Sequence, residues 1–122
     1  MIDDENIKKY DLECRTFLFA KRTRLFINNI PKNISNFEDS KQLTRSTGSI
    51  GANYIKANES LGKKDKIMRM RISKKEAKES IYWLRLLDLK NSSNLEMEQK
   101  YLIDECNQLM KILGSIIEKL NK

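Results

Sequence analysis

Hydrophobic side chains recur at steps of three and four residues along most of the chain, the repeat that is typical of amphipathic helices. Three short breaks divide this pattern into four runs. The first run covers residues 5–29 and stops before Pro31, because proline disfavours helix in the residue that precedes it. Its apolar face is predicted to consist of Ile7, Tyr10, Cys14, Phe17, Leu18 and Leu25.

The second run is predicted to begin at Ser35, whose spacing to Glu38 fits a capping box. Gly62 is predicted to end it, since glycine adopts the left-handed conformation that closes a helix. Many residues on its inward face are small, which lets a neighbouring backbone approach closely. The predicted inward residues are Leu43, Ser46, Ile50, Asn53, Tyr54, Ala57 and Leu61.

The third run covers residues 63–90, and the fourth follows the break at 91–94. The spacing from Ser93 to Glu96 is a second capping box. The inward residues predicted for the third helix are Ile67, Met70, Ala77, Ile81, Leu84 and Leu87, with Trp83 and Leu86 broadening the face. Those predicted for the fourth helix are Leu102, Cys106, Leu109, Leu113, Ile116, Ile117 and Leu120.

Four helices of about 25 residues would each be about 37 Å long. Short connections place successive helices antiparallel to one another. The sequence therefore predicts an all-α fold, an antiparallel up-and-down four-helix bundle, with residues 1–122 forming a single domain. The four glycines and one proline are too few for the turns of a many-stranded protein.

The absence of histidine removes the commonest general base and the commonest metal ligand. Cys14 and Cys106 both lie in helical apolar patterns, so both are predicted to be buried, reduced thiols. No segment reaches the ~20 apolar residues that a bilayer span needs, and the acidic N-terminus does not resemble a secretory signal. We expect a cytoplasmic protein with no membrane association, no enzymatic activity, no metal and no cofactor.

The net charge of +7 and the pI near 9.4 favour acidic partners such as RNA or DNA. Residues 63–78 hold eight basic side chains, of which four are spaced to share one helical face: Lys64, Arg71, Lys75 and Lys78. The predicted nucleic-acid-binding residues are Lys63, Lys64, Lys66, Arg71, Lys75 and Lys78. An ordinary solvated face, with the charge serving solubility, is the alternative.

Two further segments carry candidate chemistry. Residues 45–54 hold two glycines and three serine or threonine hydroxyls, but they lack the ending of a phosphate-binding loop and no strand precedes them, so close helix packing explains the glycines better. Glu76 and Glu79 could form an acid–base pair. We favour a structural polar network instead, because buried charges need partners. Its predicted members are Arg45, Asn53, Glu76 and Glu79.

Apolar residues occur on more than one face of the predicted helices, which indicates burial beyond one monomer core. Phe19 and Phe26 in the first helix and Trp83 in the third are the candidate residues for such an interface.

Several segments resemble the four helix bundle proteins that include those encoded in intervening sequences of bacterial 23S ribosomal RNA genes. The likeness spans nearly the whole chain. Its segments are Gln42-Leu43-Thr44-Arg45-Ser46, Ser49-Ile50-Gly51-Ala52-Asn53-Tyr54, Lys75-Glu76-Ala77-Lys78-Glu79-Ser80, Tyr82-Trp83-Leu84-Arg85-Leu86-Leu87, Leu102-Ile103-Asp104-Glu105-Cys106 and Ile112-Leu113-Gly114-Ser115-Ile116-Ile117.

The resemblance implies a bacterial, non-enzymatic bundle that assembles as a ring of five subunits. It also implies a more distant kinship with the accessory protein of diversity-generating retroelements, which binds a reverse transcriptase and has a basic surface. The chain departs from the family pattern at Lys56, where an acidic residue usually precedes the alanine. If that acid normally closes an ion pair, the pairing must differ here.

The favoured function is a basic, oligomeric scaffold that binds RNA or DNA, a nucleic-acid-processing protein such as a reverse transcriptase, or both. The alternative is a purely structural protein–protein interaction module without a nucleic-acid role. An enzyme that uses Glu76 and Glu79 is the least favoured class.

Overall fold

The computed structural model describes the backbone of residues 4–122 and the side chains of residues 12–122. The chain forms four helices and, over these residues, no strand: α1 (Asp4–Asn29), α2 (Ile34–Asn58), α3 (Lys63–Leu86) and α4 (Ser93–Leu120). Each helix packs against its two neighbours in cyclic order, so α1 lies diagonally opposite α3. The predicted all-α four-helix bundle is confirmed.

The buried face of α1 differs from the predicted one. Cys14, Phe17, Leu18 and Leu25 are exposed, and Ile7 and Tyr10 lie outside the described side chains. The face that enters the core has a regular alternation of four- and three-residue steps and includes the first residue after the helix. It consists of Leu12, Thr16, Phe19, Thr23, Phe26 and Ile30.

Two threonines explain why the sequence pattern pointed to the wrong face of α1. Thr16 and Thr23 are polar by composition, yet both are buried. The Thr16 hydroxyl donates to the carbonyl of Glu13 at 2.9 Å, and that of Thr23 donates to the carbonyl of Phe19 at 2.8 Å. Because each hydroxyl has a hydrogen-bond partner within its own helix, neither threonine needs contact with water. In the sequence, however, the two threonines interrupt the hydrophobic stripe that would have marked this face as buried.

Both predicted capping boxes are displaced from the observed caps. The cap of α2 is Asn33, two residues before Ser35, and its side chain accepts a hydrogen bond from the amide of Asn36 at 2.8 Å. The cap of α4 is Ser92, one residue before Ser93, and it accepts from the amide of Leu95. In each case a neighbouring side chain of equal capping ability takes the role.

The connection between α2 and α3 also corrects two predictions. Gly62 is the N-cap of α3 rather than the end of α2, and its φ of −117° is not left-handed. The end of α2 is capped at Glu59 instead. Leu61 is fully exposed (105%) because the helix has already ended and the residue has left the inward face.

The third helix ends at Leu86 instead of continuing to Lys90. The backbone becomes extended at Leu87, and both Leu87 and Leu89 turn into the end of the core. Lys90 and Asn91 then adopt left-handed φ values of 53° and 60°, which reverse the chain before α4. The extended backbone allows both leucines to be buried, and the helix therefore ends before them.

Asn36 ties the two connections at this end of the bundle together. Its side-chain amide donates to the carbonyls of Pro31 at 2.9 Å and Asp88 at 2.8 Å. Its carbonyl oxygen accepts from the backbone amide of Asp88 at 2.9 Å. The side chain is buried, so these bonds satisfy backbone groups that water cannot reach.

The two cysteines occupy different environments. Cys106 is buried as predicted, its thiol donates to the carbonyl of Ala77 at 3.1 Å, and desolvation raises its pKa to about 12. Cys14 is exposed, which corrects the prediction of two buried thiols. Cys14 is exposed because it lies outside the face of α1 that enters the core.

The glycines of residues 45–54 lie inside α2, as close helix packing predicted. A Cβ atom at Gly51 would lie 2.9 Å from the Thr16 hydroxyl and 3.3 Å from its Cβ, so this glycine allows α1 to approach α2. A Cβ atom at Gly48 would meet the end of the exposed Arg24 side chain at 3.2 Å. The two positions therefore differ in how easily the neighbour can move.

We predict opposite effects for the two alanine substitutions. Gly51→Ala would gain helix propensity of up to ~1 kcal/mol but clash with a stiff, buried threonine, at a cost of about 1–3 kcal/mol. Gly48→Ala gains the same propensity and displaces only a flexible arginine, so it should stabilise the protein. Urea unfolding of both variants measures the difference, and equal stabilities would contradict the close contact.

Candidate nucleic-acid interface

Seven residues form a straight line along the outward face of α3, at alternating steps of four and three. They are Lys64, Met68, Arg71, Lys75, Lys78, Tyr82 and Arg85, and all seven side chains are exposed. At 1.5 Å per residue the line is about 31 Å long. We call this set the α3 stripe. Five of its members are cationic and none is acidic.

The stripe faces solvent because the opposite side of α3 is buried. Met70, Ser73, Ala77, Ser80 and Leu84 pack into the bundle. They repeat at the same alternating steps, about half a turn around the helix from the stripe. Core packing therefore determines which cations point outward.

Acidic side chains near the stripe are directed elsewhere. Glu79 lies at its edge, but its carboxylate approaches the guanidinium of Arg45 at 3.8 Å. Glu76 is buried and pairs with the same guanidinium at 3.2 Å. Asp65 lies in the first turn of α3, where the helix dipole favours a negative charge. The stripe thus has little internal neutralisation.

The structure sorts the six predicted nucleic-acid-binding residues into two groups. Lys64, Arg71, Lys75 and Lys78 lie on the stripe and are exposed. The other two do not join them. The Lys63 ammonium donates to the carbonyl of Lys122 at 3.3 Å, and Lys66 is partly buried about half a turn away from Lys64.

Met68, Tyr82 and Arg85 are stripe residues that the sequence analysis missed. Continuation of the four- and three-residue steps beyond Lys78 was the signal that could have found Tyr82 and Arg85. The Tyr82 ring packs edge-to-face against Trp83, with 5.0 Å between the ring centroids. The stripe consequently ends in an aromatic side chain and an arginine.

Two depressions border the stripe. One is a groove of about 1090 Å³ at the start of α3, lined by Met68, Ile72 and the stems of stripe cations. The other is a smaller depression of about 270 Å³ between α3 and α4, with Met110 and Ile117 beside the basic side chains. Each brings apolar and cationic side chains together, and Asp65 also lines the first. Such a mixed lining is suited to a polyanion that also has flat apolar groups.

The predicted polar network forms only in part. Arg45 bridges Glu76 and Glu79 across the α2–α3 interface. Asn53 does not join it, because its side-chain amide donates to the carbonyl of Ser49 within α2. Lys56, the departure from the family pattern, is exposed near the end of α2, and Arg45 takes its partners from α3.

The structure also revises the candidate interface residues. Phe19 and Phe26 are buried within the single chain and are unavailable to a second subunit. Trp83 is partly buried. The apolar residues that α1 does expose are Phe17 (61%), Leu18 (61%) and Leu25 (64%). The sequence analysis therefore predicted the exposed face of this helix to be buried, and two of its buried residues to be exposed.

Across the described residues, no three potential ligand side chains come together in a way that could hold a metal ion. None of the helical stretches covered by the structure has both the length and the apolar character of a membrane span.

The family described as 23S rRNA-intervening sequence protein has a sequence profile that matches residues 8–115. A solved structure from Bacteroides thetaiotaomicron, a protein of unknown function from the S23 ribosomal protein family, is also similar. The two share 29% sequence identity at a TM-score of 0.71, over 87% of this chain and 97% of that chain. No curated protein matches the sequence significantly.

The ion pair between Arg45 and Glu76 predicts an asymmetric response to substitution. Arg45→Met leaves a buried carboxylate without its partner and should destabilise the protein by about 1–3 kcal/mol. Glu76→Gln keeps a hydrogen-bond acceptor and leaves a half-exposed arginine that water can solvate, so its cost should be smaller. Urea unfolding at neutral pH measures both.

The matched control for this prediction is Lys41→Met. Lys41 pairs with Glu38 at 3.7 Å, and both side chains are exposed. Loss of such a pair costs between 0 and about 1 kcal/mol. An equal cost for Arg45→Met and Lys41→Met would show that burial of Glu76 does not govern the network.

Proposed function

This chain belongs to the 23S rRNA-intervening sequence protein family, and we propose that it is a non-enzymatic, oligomeric scaffold that binds nucleic acid along the α3 stripe. The single observation that carries this proposal is the exposed line of five cations with no acid among them. A protein that neutralises several phosphates gains affinity by releasing counterions. The stripe is long enough to contact several successive phosphates of one strand.

RNA is the favoured ligand within this proposal, because the family description associates its members with 23S ribosomal RNA genes. A nucleic-acid-processing enzyme such as a reverse transcriptase is the second partner that the resemblance supports. The protein would then hold an RNA or DNA strand for that enzyme without chemistry of its own.

Self-association through the outer face of α1 is the second part of the proposal. Phe17, Leu18 and Leu25 form an exposed apolar ridge on this helix. Exposed apolar patches commonly mark interfaces. Because α1 lies diagonally opposite α3, contact between copies through the ridge would leave the α3 stripe free. We propose a ring of five copies, the assembly that the resemblance implies.

The same ridge favours a second candidate function, a structural module that binds only proteins. In that case the positive charge serves solubility. The two functions differ in whether freshly purified protein retains nucleic acid, which the ratio of absorbance at 260 nm to that at 280 nm reports directly.

We predict that RNA binding weakens steeply with salt. Four to five phosphate contacts imply a loss of roughly 50- to 150-fold in affinity between 50 and 200 mM salt. Replacement of Lys64, Arg71, Lys75 and Lys78 by glutamine should weaken binding at low salt and reduce the salt dependence to about that of one contact. Fluorescence anisotropy with a labelled ribosomal RNA fragment measures both quantities.

The matched control removes the same charge from outside α3, by glutamine substitution of four exposed lysines: Lys32, Lys41, Lys90 and Lys119. This variant should retain most of the affinity of the unmodified protein. If the two quadruple variants lost affinity equally, binding would depend on net charge and not on the stripe.

We also predict that the protein in solution has about five times the 14.4 kDa mass of one chain. The double variant Leu18→Glu, Leu25→Glu should be monomeric, because two charges on the ridge cannot be desolvated without partners. Both side chains are exposed, so its far-UV circular dichroism should be unchanged. Light scattering measures the mass.

Ile34→Glu combined with Leu61→Glu is the control, since both are highly exposed apolar residues away from the ridge. This variant should keep the mass of the unmodified protein. A monomer at micromolar concentration of the unmodified chain would refute the oligomeric scaffold.

A further inference from the structure

The position of Tyr82 on the α3 stripe gives it a surrounding that differs from those of the other exposed aromatic residues. Its side chain is 58% exposed. Lys78 lies one turn before it and Arg85 one turn after it on the same face. An aromatic ring between two cations combines a stacking surface with two phosphate contacts.

Other exposed aromatic rings are already covered by cations of the chain itself. Arg22 lies 3.6 Å from the centroid of the Tyr101 ring. Lys41 lies 4.4 Å from the Phe37 ring, and Lys21 lies 5.7 Å from the Phe17 ring. Among the residues that the structure describes, no cation lies over the Tyr82 ring, so this ring is available to a flat ligand.

Trp83 holds the Tyr82 ring in place. The two rings meet edge-to-face, with an interplanar angle of 77° and 5.0 Å between centroids. Such a contact is favourable for aromatic pairs. Since Trp83 is itself partly buried, the Tyr82 ring packs on one side against a partly buried neighbour, which reduces the side-chain freedom that is lost on binding.

We propose that Tyr82 is a stacking site for an unpaired base of the nucleic acid that the α3 stripe binds, with Lys78 and Arg85 contacting the phosphates on either side of that base. The inference rests on the proposed nucleic-acid binding and refines its ligand. A fully paired helix keeps its bases stacked inside and offers none to Tyr82. The ligand class is therefore a nucleic acid that has an unpaired segment beside the strand tracked by the stripe.

The test uses the full-length protein and two labelled RNA probes at 50 mM salt. One probe is a 12-base-pair duplex with a six-nucleotide single-stranded tail, and the other has the same tail without its bases. Base stacking on an aromatic side chain corresponds to about 5- to 150-fold in affinity. Tyr82→Leu should lose affinity for the first probe by this factor, whereas Tyr82→Phe, which keeps the ring, should bind normally.

The two probes separate stacking from a general effect of the substitution. Removal of the tail bases should weaken binding by the unmodified protein to the level of Tyr82→Leu, and it should weaken Tyr82→Leu no further. Trp83 is the single tryptophan of the chain. Its fluorescence should therefore change when the first probe binds, and change much less with the second.

Tyr101→Leu is the control variant, because Tyr101 is an exposed tyrosine that Arg22 already covers. It should bind both probes as the unmodified protein does. Unchanged affinity of Tyr82→Leu for the tailed duplex would overturn the stacking site, and the proposed function would stand if the quadruple glutamine variant still lost binding. Failure of the unmodified protein to bind either probe would overturn both.

Discussion

Hydrogen bonds between α2 and α3 fix the rotation of α3, and the position of the candidate interface depends on that rotation. The hydroxyls of Ser46 and Ser80 are 2.8 Å apart, and the Ser73 hydroxyl donates to the carbonyl of Ile50 at 2.7 Å. All three serines are fully buried. Rotation of α3 would leave the buried Ser73 hydroxyl without a partner, which is costly. It would also break the bond between Ser46 and Ser80, although each of these two hydroxyls keeps a carbonyl partner in its own helix. The hydrogen bonds between α2 and α3 therefore keep the α3 stripe pointed toward solvent.

The first helix is held differently. Close approach to α2 at Gly51 and Thr16 secures one of its sides. On the side of α4, charged pairs secure it: Arg15 with Glu105 and Arg22 with Glu98, each at 2.7 Å. The bond to Glu98 also raises the pKa of the Arg22 guanidinium. Two of the six inward residues of this face are threonines, and Phe17, Leu18 and Leu25 lie outside, on the side of the bundle away from α3.

The two outer surfaces thus have separate origins. The α3 stripe is outside because its opposite face carries the best core packing, whereas the ridge of α1 is outside because a threonine-containing face fits closer to α2. Their diagonal arrangement would allow contact between copies of the chain and contact with a polyanion at the same time. The proposed scaffold function needs only these two surfaces.

Part of the candidate site was predictable from sequence, because helical spacing alone relates Lys64, Arg71, Lys75 and Lys78. The Arg45–Glu76 pair was also predicted, since a carboxylate on an inward ridge needs a cationic partner. Tyr82 was missed, although it continues the spacing. Asn53 was assigned to the network in error, because its side chain can satisfy itself within its own helix.

By itself, the sequence determined the number of helices, their approximate bounds and the inward faces of most of α2 and α4, because apolar periodicity and turn residues act locally. Only the tertiary structure decided the buried face of α1, the early end of α3 and the groups that cap α2 and α4. These choices compare alternatives of similar local energy, and contacts between distant segments decide among them. Examples are the contact of Thr16 with Gly51 and that of Asn36 with Asp88. Neither contact can be predicted from the spacing of residues along the chain.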